Sequence, residues 1–173
     1  FGQHGLMVLN RDDATVMQMY AAANEQMLAA GLAYSGKNKS PKLTPVRDMQ
    51  SFGAGLPTRA GDFGLDTTAG MTWLVRAHPA DETQRRRKDE AEELFLQRLM
   101  PPVALRIRVR STAVKALATQ VLAHAAGVAI APMLFELREY RGEPHRVESV
   151  GIVDDVEYFD DSKGTNVGAT VAA

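Results

Sequence analysis

Arg146, Asp161, Ser162, Lys163 and Thr165 are the side chains best suited to chemistry. They fall in two short segments, Pro144-His145-Arg146-Val147-Glu148 and Asp160-Asp161-Ser162-Lys163-Gly164-Thr165-Asn166. Alternating residues Val156-Glu157-Tyr158-Phe159 precede the second segment, and small residues from Val167 to Thr170 follow it. That pattern reads as strand, loop and helix start, with polar groups gathered at the strand's carboxyl end, where open α/β sheets bind ligands. Each residue also has a plainer role. Asp161 and Ser162 suit capping of the following helix, Lys163 suits a solvated surface, and Arg146 with Glu148 suits a pair across a strand face. His145 fits structure as well as catalysis.

The elements that must position these residues follow from the hydrophobic pattern. Gly5 to Asn10 predicts a short strand. Asp12 or Asp13 then caps a helix that carries Val16, Tyr20, Ala23 and Met27 toward a core and stops at Gly31. Tyr34 to Pro45, rich in Lys, Ser, Gly and Pro, predicts a solvated loop. Strands are expected at Asp48 to Phe52 and Met71 to Arg76, a polar mobile stretch at His78 to Ala91, and a short helix or strand at Leu94 to Leu99. Leu105 to Arg108 is a further strand candidate. Val114, Leu117, Ala118, Val121, Leu122 and Ala125 recur at helical spacing up to a glycine stop at Gly127. Pro132 at a first helical position opens the next helix through Leu134 and Leu137, ending near Gly142. The mixture of strands and helices makes the fold class α/β, without an internal repeat.

Composition narrows the function classes. The 173 residues can bury a real core, and 45% hydrophobic with 24% charged is ordinary for a globular protein. Twenty basic against 21 acidic residues create no global field for nucleic acid or an anionic membrane. Arg85 to Lys88 is a basic run, but Asp89, Glu90, Glu92 and Glu93 follow it, so it reads as a solvated loop. Without cysteine there is neither a disulfide scaffold nor a thiolate metal site. His4, His78 and His124 have no partners at metal-ligand spacing, and no metal site is assigned. No apolar run approaches the ~20 residues of a membrane helix, and no leader opens the chain, so the expected location is the cytoplasm.

The two polar segments resemble the Mur ligases, and within them the branch that adds D-glutamate to UDP-N-acetylmuramoyl-L-alanine. Those enzymes carry Pro-His-Arg-x-Glu, then a strand ending in Asp-Ser-Lys-(Ala/Gly)-Thr-Asn. Val8-Leu9-Asn10-Arg11-Asp12-Asp13 is similar to the family's strand followed by Asn-x-Asp-Asp, and Ser51-Phe52-Gly53 with Asp62-Phe63-Gly64-Leu65 to its next strand and loop. The resemblance implies part of a P-loop-type central ATP-binding domain at 1–142 and the first elements of a Rossmann-like C-terminal ligase domain at 143–173. Because the chain opens at Phe1 almost on a strand and closes at Ala173 inside a forming helix, an internal segment of a larger ligase is expected, inactive alone.

The chemistry implied by the resemblance is ATP-dependent amide formation in peptidoglycan precursor synthesis. The substrate carboxylate becomes an acyl phosphate, which the amine of D-glutamate attacks. By resemblance, Arg146 lies near the nucleotide, Asp161 near the ribose, Lys163 at the reaction centre as the catalytic residue, and Thr165 and Ser162 toward D-glutamate. The P-loop Gly-Lys-Thr and the ligands of Mg2+ are expected outside these residues. One stretch departs from the family. Where it reads Gly-x-His-Asn-x-x-Asn after the strand near Leu105, this chain reads Val109, Arg110, Ser111, Thr112, Ala113, Val114 and Lys115. Thr112 and Lys115 thus stand where nucleotide-binding asparagines are expected, and neither presents an amide's paired donor and acceptor. The alternative is a non-catalytic binding or interaction remnant on the same scaffold.

Overall fold

The computed structural model describes residues 6–34, 48–80, 93–106 and 112–168. Apart from Tyr34, the expected loop at Tyr34 to Pro45 therefore lies outside the described residues, as does most of the stretch His78 to Ala91.

Five strands form one mixed sheet in the order β1 to β5. β1 (Met7–Asn10) pairs in parallel with β2 (Met49–Phe52), residue for residue from Met7↔Met49 to Asn10↔Phe52. β3 (Phe63–Thr68) joins β2 in parallel only through Phe52↔Phe63, so it starts where β2 ends. β3 turns back on β4 (Met71–Pro79) through Ala69 and Gly70, whose φ angles of 52° and 77° are the left-handed pair a two-residue hairpin requires. β4 then pairs antiparallel with β5 (Leu94–Met100).

The Asp62-Phe63-Gly64-Leu65 segment, read as a loop, is the start of a strand. Gly64 conceals it, since glycine lowers strand propensity. The glycine is needed because a Cβ there would collide with the Gly55 carbonyl and approach Pro57 to 2.9 Å. β4 also runs three residues past the expected Arg76, through Ala77 and His78 to Pro79. Its proline sits at the strand end, opposite Leu94, where a missing N–H is tolerated.

α1 (Ala14–Tyr34) begins as expected at Asp13, whose Oδ1 accepts from Thr15 N at 2.9 Å and Val16 N at 3.2 Å. Such a cap stabilises a helix by about 1 kcal/mol. The helix does not stop at Gly31. Interior glycine costs ~1 kcal/mol, and the helix continues through it to Tyr34. After β5, Leu105 and Arg106 form a bend following a 3-10 turn at Pro102–Ala104, not the start of the expected strand, while residues 107 and 108 lie outside the described residues.

α2 (Thr112–Ala125) lies on β1, β2 and β3. Its Leu117 and Val121 are fully buried with Phe63 and Leu74, and Met100, Leu105 and Ala116 complete the core. The buried stripe is rotated from the expected one. Ala116 and Gln120 face inward, whereas Leu122 is 57% exposed. Gln120 is 1% exposed and its amide atoms have no hydrogen-bond partner, so a polar residue masks the apolar periodicity. Leu74 and Val75 are adjacent and both fully buried, hence β4 is covered on both faces. Gly127, with φ of 88°, ends the α2 turn as expected. α3 (Ile130–Glu139) places Pro132 third and not first; the first turn's N–H groups have no intrahelical acceptor, so proline is accepted there too.

Candidate functional site

The second sheet is a hairpin of β6 (Glu148–Val153) and β7 (Val156–Asp160). Asp154 and Asp155, with φ of 51° and 60°, make its two-residue turn, a conformation aspartate accepts more readily than most side chains. The strand Val156 to Asp160 therefore lies in an antiparallel pair, not in the open sheet its sequence suggested. Two aspartates without glycine hide the turn. Each strand packs chiefly against the other, and both are exposed along their length, with Tyr158 at 51% and Phe159 at 52%.

Pairing runs from Val153↔Val156 at the turn to Glu148↔Asp160 at the open end. That register lays the segment entering β6 beside the loop leaving β7. His145 Nδ1 and Asp160 Oδ2 are 2.7 Å apart. His145 N donates to Glu148 Oε2 at 2.9 Å, Val147 N to Asp161 Oδ1 at 3.3 Å, and Lys163 N to the His145 carbonyl at 3.1 Å. Ser162 N donates to Asp160 Oδ1 at 2.9 Å. The hydrogen bond from His145, followed by those from Ser162, holds the Asp160 carboxyl down to about 2.

The backbone around Arg146 is unusual. Among the described non-glycine residues with positive φ, Ala69, Asp154 and Asp155 belong to hairpin turns; the other two, His145 at 65° and Val147 at 48°, flank Arg146. A β-branched residue in this region is an outlier that costs about 1–3 kcal/mol and persists only where its surroundings enforce it.

The structure thus brings Arg146, Asp161, Ser162 and Lys163 into two hydrogen-bonded segments. Arg146, Ser162 and Lys163 are exposed and Asp161 is partly buried. Asp161 binds Val147 N and does not cap the next helix through that oxygen; Glu148 binds the His145 amide and not Arg146. Thr165 is exposed two residues before helical backbone begins at Val167. Thr112 and Lys115 sit elsewhere, in the first turn of α2, with Lys115 exposed.

Sequence reasoning missed a second polar centre at the carboxyl ends of β1 and β2. The Arg11 guanidinium donates to the carbonyls of Phe63 at 2.6 Å, Gly53 at 3.3 Å and Gly55. Asp12 Oδ2 accepts from Ala54 N at 2.6 Å. Burial lowers the Arg11 pKa, against the opposing pull of Asp62 and Asp12. A Cβ on Gly53 would lie 2.6 Å from Asp12 Oδ1, so glycine there is the readable signal of close approach.

His145, Glu148 and Asp160 are a group of donors that could hold a cation, their ligand atoms lying within 4.8 Å of one another. Their mutual hydrogen bonds already account for the arrangement. A cleft of about 330 Å3 opens at the amino ends of β1 and β2, lined by Leu6, Tyr20, Asp48, Met49, Gln50, Arg59 and Ala60; none of the candidate residues lines it. Among the described residues no helix is long and apolar enough to cross a membrane.

No family model matches the chain. It is 57% identical over 173 residues to the UDP-N-acetylmuramoylalanine–D-glutamate ligase of Albidiferax ferrireducens, a match covering 100% of this chain and 32% of that protein. The ligases of the same name from Polaromonas sp. and Paraburkholderia phymatum are 57% and 47% identical, again over 100% of this chain and over 27% and 32% of their own lengths. The chain therefore spans about a third of these relatives. Among solved structures, MurF from Acinetobacter baumannii superimposes with a TM-score of 0.54 at 15% identity, covering 99% of this chain and 28% of that one. The sequence match to these ligases extends from the first residue of this chain to the last, and the fold is similar to that of a segment of a Mur ligase.

Proposed function

We propose that this chain serves an ATP-dependent ligase that joins D-glutamate to UDP-N-acetylmuramoyl-L-alanine. The observation that carries the reading is the junction at the open end of the β6–β7 hairpin, where the residues on either side of Arg146 are tied to the other segment, the Val147 amide to the Asp161 carboxylate and the His145 carbonyl to the Lys163 amide. Two cations beside a carboxylate suit a nucleotide, whose phosphates need positive charge and whose ribose offers hydroxyl donors. Asp161 has acceptor capacity beyond the Val147 amide, because a carboxylate has about four lone-pair sites.

In the reaction, the carboxylate of the muramoyl-L-alanine substrate attacks the terminal phosphorus of ATP, and ADP leaves. The D-glutamate amine then attacks the acyl carbon, the amide forms, and phosphate departs with a proton lost from nitrogen. Lys163 stabilises charge on the transferring phosphoryl group and Arg146 holds the nucleotide phosphates. Ser162 and Thr165 orient D-glutamate by their hydroxyls. Thr112 and Lys115 face the nucleotide at the start of α2. The division at 142/143 separates the ATP-binding part from the beginning of the ligase part, and the reading carries a cytoplasmic location, where ATP is available.

Magnesium, when bound, would neutralise phosphate charge. It demands near-octahedral oxygen ligation, which the imidazole-containing trio His145, Glu148 and Asp160 does not fit, so no step involves it here.

The test is Lys163→Ala in the full-length ligase. A group acting mainly on the transition state should lower kcat by roughly 100-fold or more. Unchanged turnover would reject the role assigned to Lys163, and absence of turnover in the parent itself would favour the non-catalytic reading that the Thr112 and Lys115 departures suggest.

A further inference from the structure

Two left-handed residues, one of them β-branched, bracket a single arginine. Among the described residues, hairpin turns explain the positive φ of Ala69, Asp154 and Asp155, and a β-turn with Pro144 second and His145 third, closed by Arg146 N donating to the Glu143 carbonyl at 3.2 Å, accommodates that of His145; neither kind of turn accounts for Val147. The opposite segment anchors both residues. Asp160 takes the His145 ring, Asp161 takes the Val147 amide, and Lys163 N binds the carbonyl of His145. The residue before Arg146 and the residue after it are therefore each pinned to the loop that carries Lys163. Around them the hairpin offers little other support, since its strands are exposed on both faces and an isolated two-stranded hairpin is marginal in water.

We propose that His145 and Asp160 are positioning residues, whose side-chain clasp anchors the turn before Arg146 to the loop that carries Lys163 and sets Arg146 and Lys163 at a fixed separation for one polyphosphate. The clasp rests on the nucleotide reading above and adds to it two residues that need touch no substrate. Asp160 acts through His145, and His145 acts through its own carbonyl. Released, the turn moves independently of the loop, and the two cations are no longer held together before the nucleotide arrives. Binding then includes the cost of ordering them.

Asp160→Ala and Asp160→Asn in the full-length ligase test this. Asparagine preserves both bonds: its carbonyl accepts from Ser162 N, and its amide donates to Nδ1 of the other neutral histidine tautomer. The expected result is about a tenfold weaker Kd for ATP in Asp160→Ala by calorimetric titration, with Asp160→Asn close to the parent. Trypsin cleavage after Arg146 and Lys163 should accelerate in the alanine variant alone, while its Tm stays unchanged because the hairpin lies outside the core. Parent-like ATP affinity in Asp160→Ala overturns the positioning role, even if cleavage accelerates. Equal loss in both variants overturns it as well, since the clasp would then not be what the carboxylate supplies. Absence of ATP binding by the parent itself overturns the nucleotide reading and the proposal with it.

Discussion

The five-stranded sheet with α2 and the β6–β7 hairpin are held by opposite means. In the first, Phe63, Leu74, Val75, Ala77, Leu117 and Val121 are removed from water entirely, and full burial of one such larger side chain contributes about 1.5–3 kcal/mol. In the second, no residue of either strand is buried. Its order comes from the ladder and from the bonds between residues 145–148 and 160–163. Burial is non-directional and tolerant, whereas a hydrogen-bonded clasp fixes directions and does little else. The stable region therefore supplies a platform, and the candidate chemistry sits where geometry is set by a few polar atoms.

The largest expected effect breaks the platform and leaves the site alone. Leu117 is fully buried among Phe63, Leu74 and Val121, so Leu117→Ala should remove about 2–5 kcal/mol of unfolding free energy, a large share of the 5–15 kcal/mol typical of a domain. Urea denaturation of the full-length protein measures it. ATP affinity, measured where the variant remains folded, should stay within about twofold, because Leu117 has no polar atom to offer. A loss under about 1 kcal/mol would mean that this interior is loosely packed, and the contrast with the hairpin would fail.

How much of this was legible in the sequence divides along the same line. Local signals were readable: Asp13 before α1, Gly127 after α2, and the strand and loop from Val156 to Thr165. Longer-range side-chain bonds were not. Arg11 reaches carbonyls 42 to 52 residues away, and His145 meets an aspartate 15 residues on; neither spacing leaves a periodic trace. β3 was missed because Gly64 answers a tertiary demand. The α2 stripe was misaligned because Gln120 is polar yet buried. Within the candidate site, sequence picked out Arg146, Asp161 and Lys163, but the clasp that orients them emerged only from the hairpin register.

A smaller effect is expected at the start of α2, where on the proposed reading the platform contributes to binding. Thr112 opens that helix and Lys115 lies exposed in its first turn, at positions where relatives in this family are expected to present asparagine amides. Restoring both by Thr112→Asn with Lys115→Asn should add hydrogen bonds of about 1 kcal/mol each, hence roughly tenfold or more in ATP affinity. Calorimetric titration of parent and double variant with matching circular dichroism spectra measures it. Equal or weaker binding would show that Lys115 makes a compensating contact or that the alignment between Leu105 and Leu117 is shifted.

The smallest effect distinguishes the regions by pH. His124, in the last turn of α2, stacks at a tilt on buried Phe63 with ring centroids 6.2 Å apart. Its pKa lies below the ordinary 6.5, first because burial disfavours the imidazolium and then because Arg76 repels it, with His78 adding to the same sense and a backbone hydrogen bond at Val128 opposing. A helix C-terminus favours a charged histidine, but here desolvation and the arginine outweigh it. The unfolded chain therefore takes up a proton as pH falls past 6.5 while the folded chain resists. Stability from the neutral ring is fully present above 6.5 and is lost as pH falls through the lowered value. Asp160, held down to about 2, behaves differently: its contribution stays intact until pH drops below the ordinary carboxylate range near 3.8 and then fades toward 2. Between pH 7.5 and 5.5 only the platform should soften, by under about 1 kcal/mol since the ring is partly solvated. His124→Phe keeps the aromatic contact and removes the titration, so its stability should be flatter over that interval in urea titrations. Parallel pH slopes for parent and variant would mean that the ring gains its proton without leaving Phe63, and that burial in the platform is weaker at this edge than at Leu117.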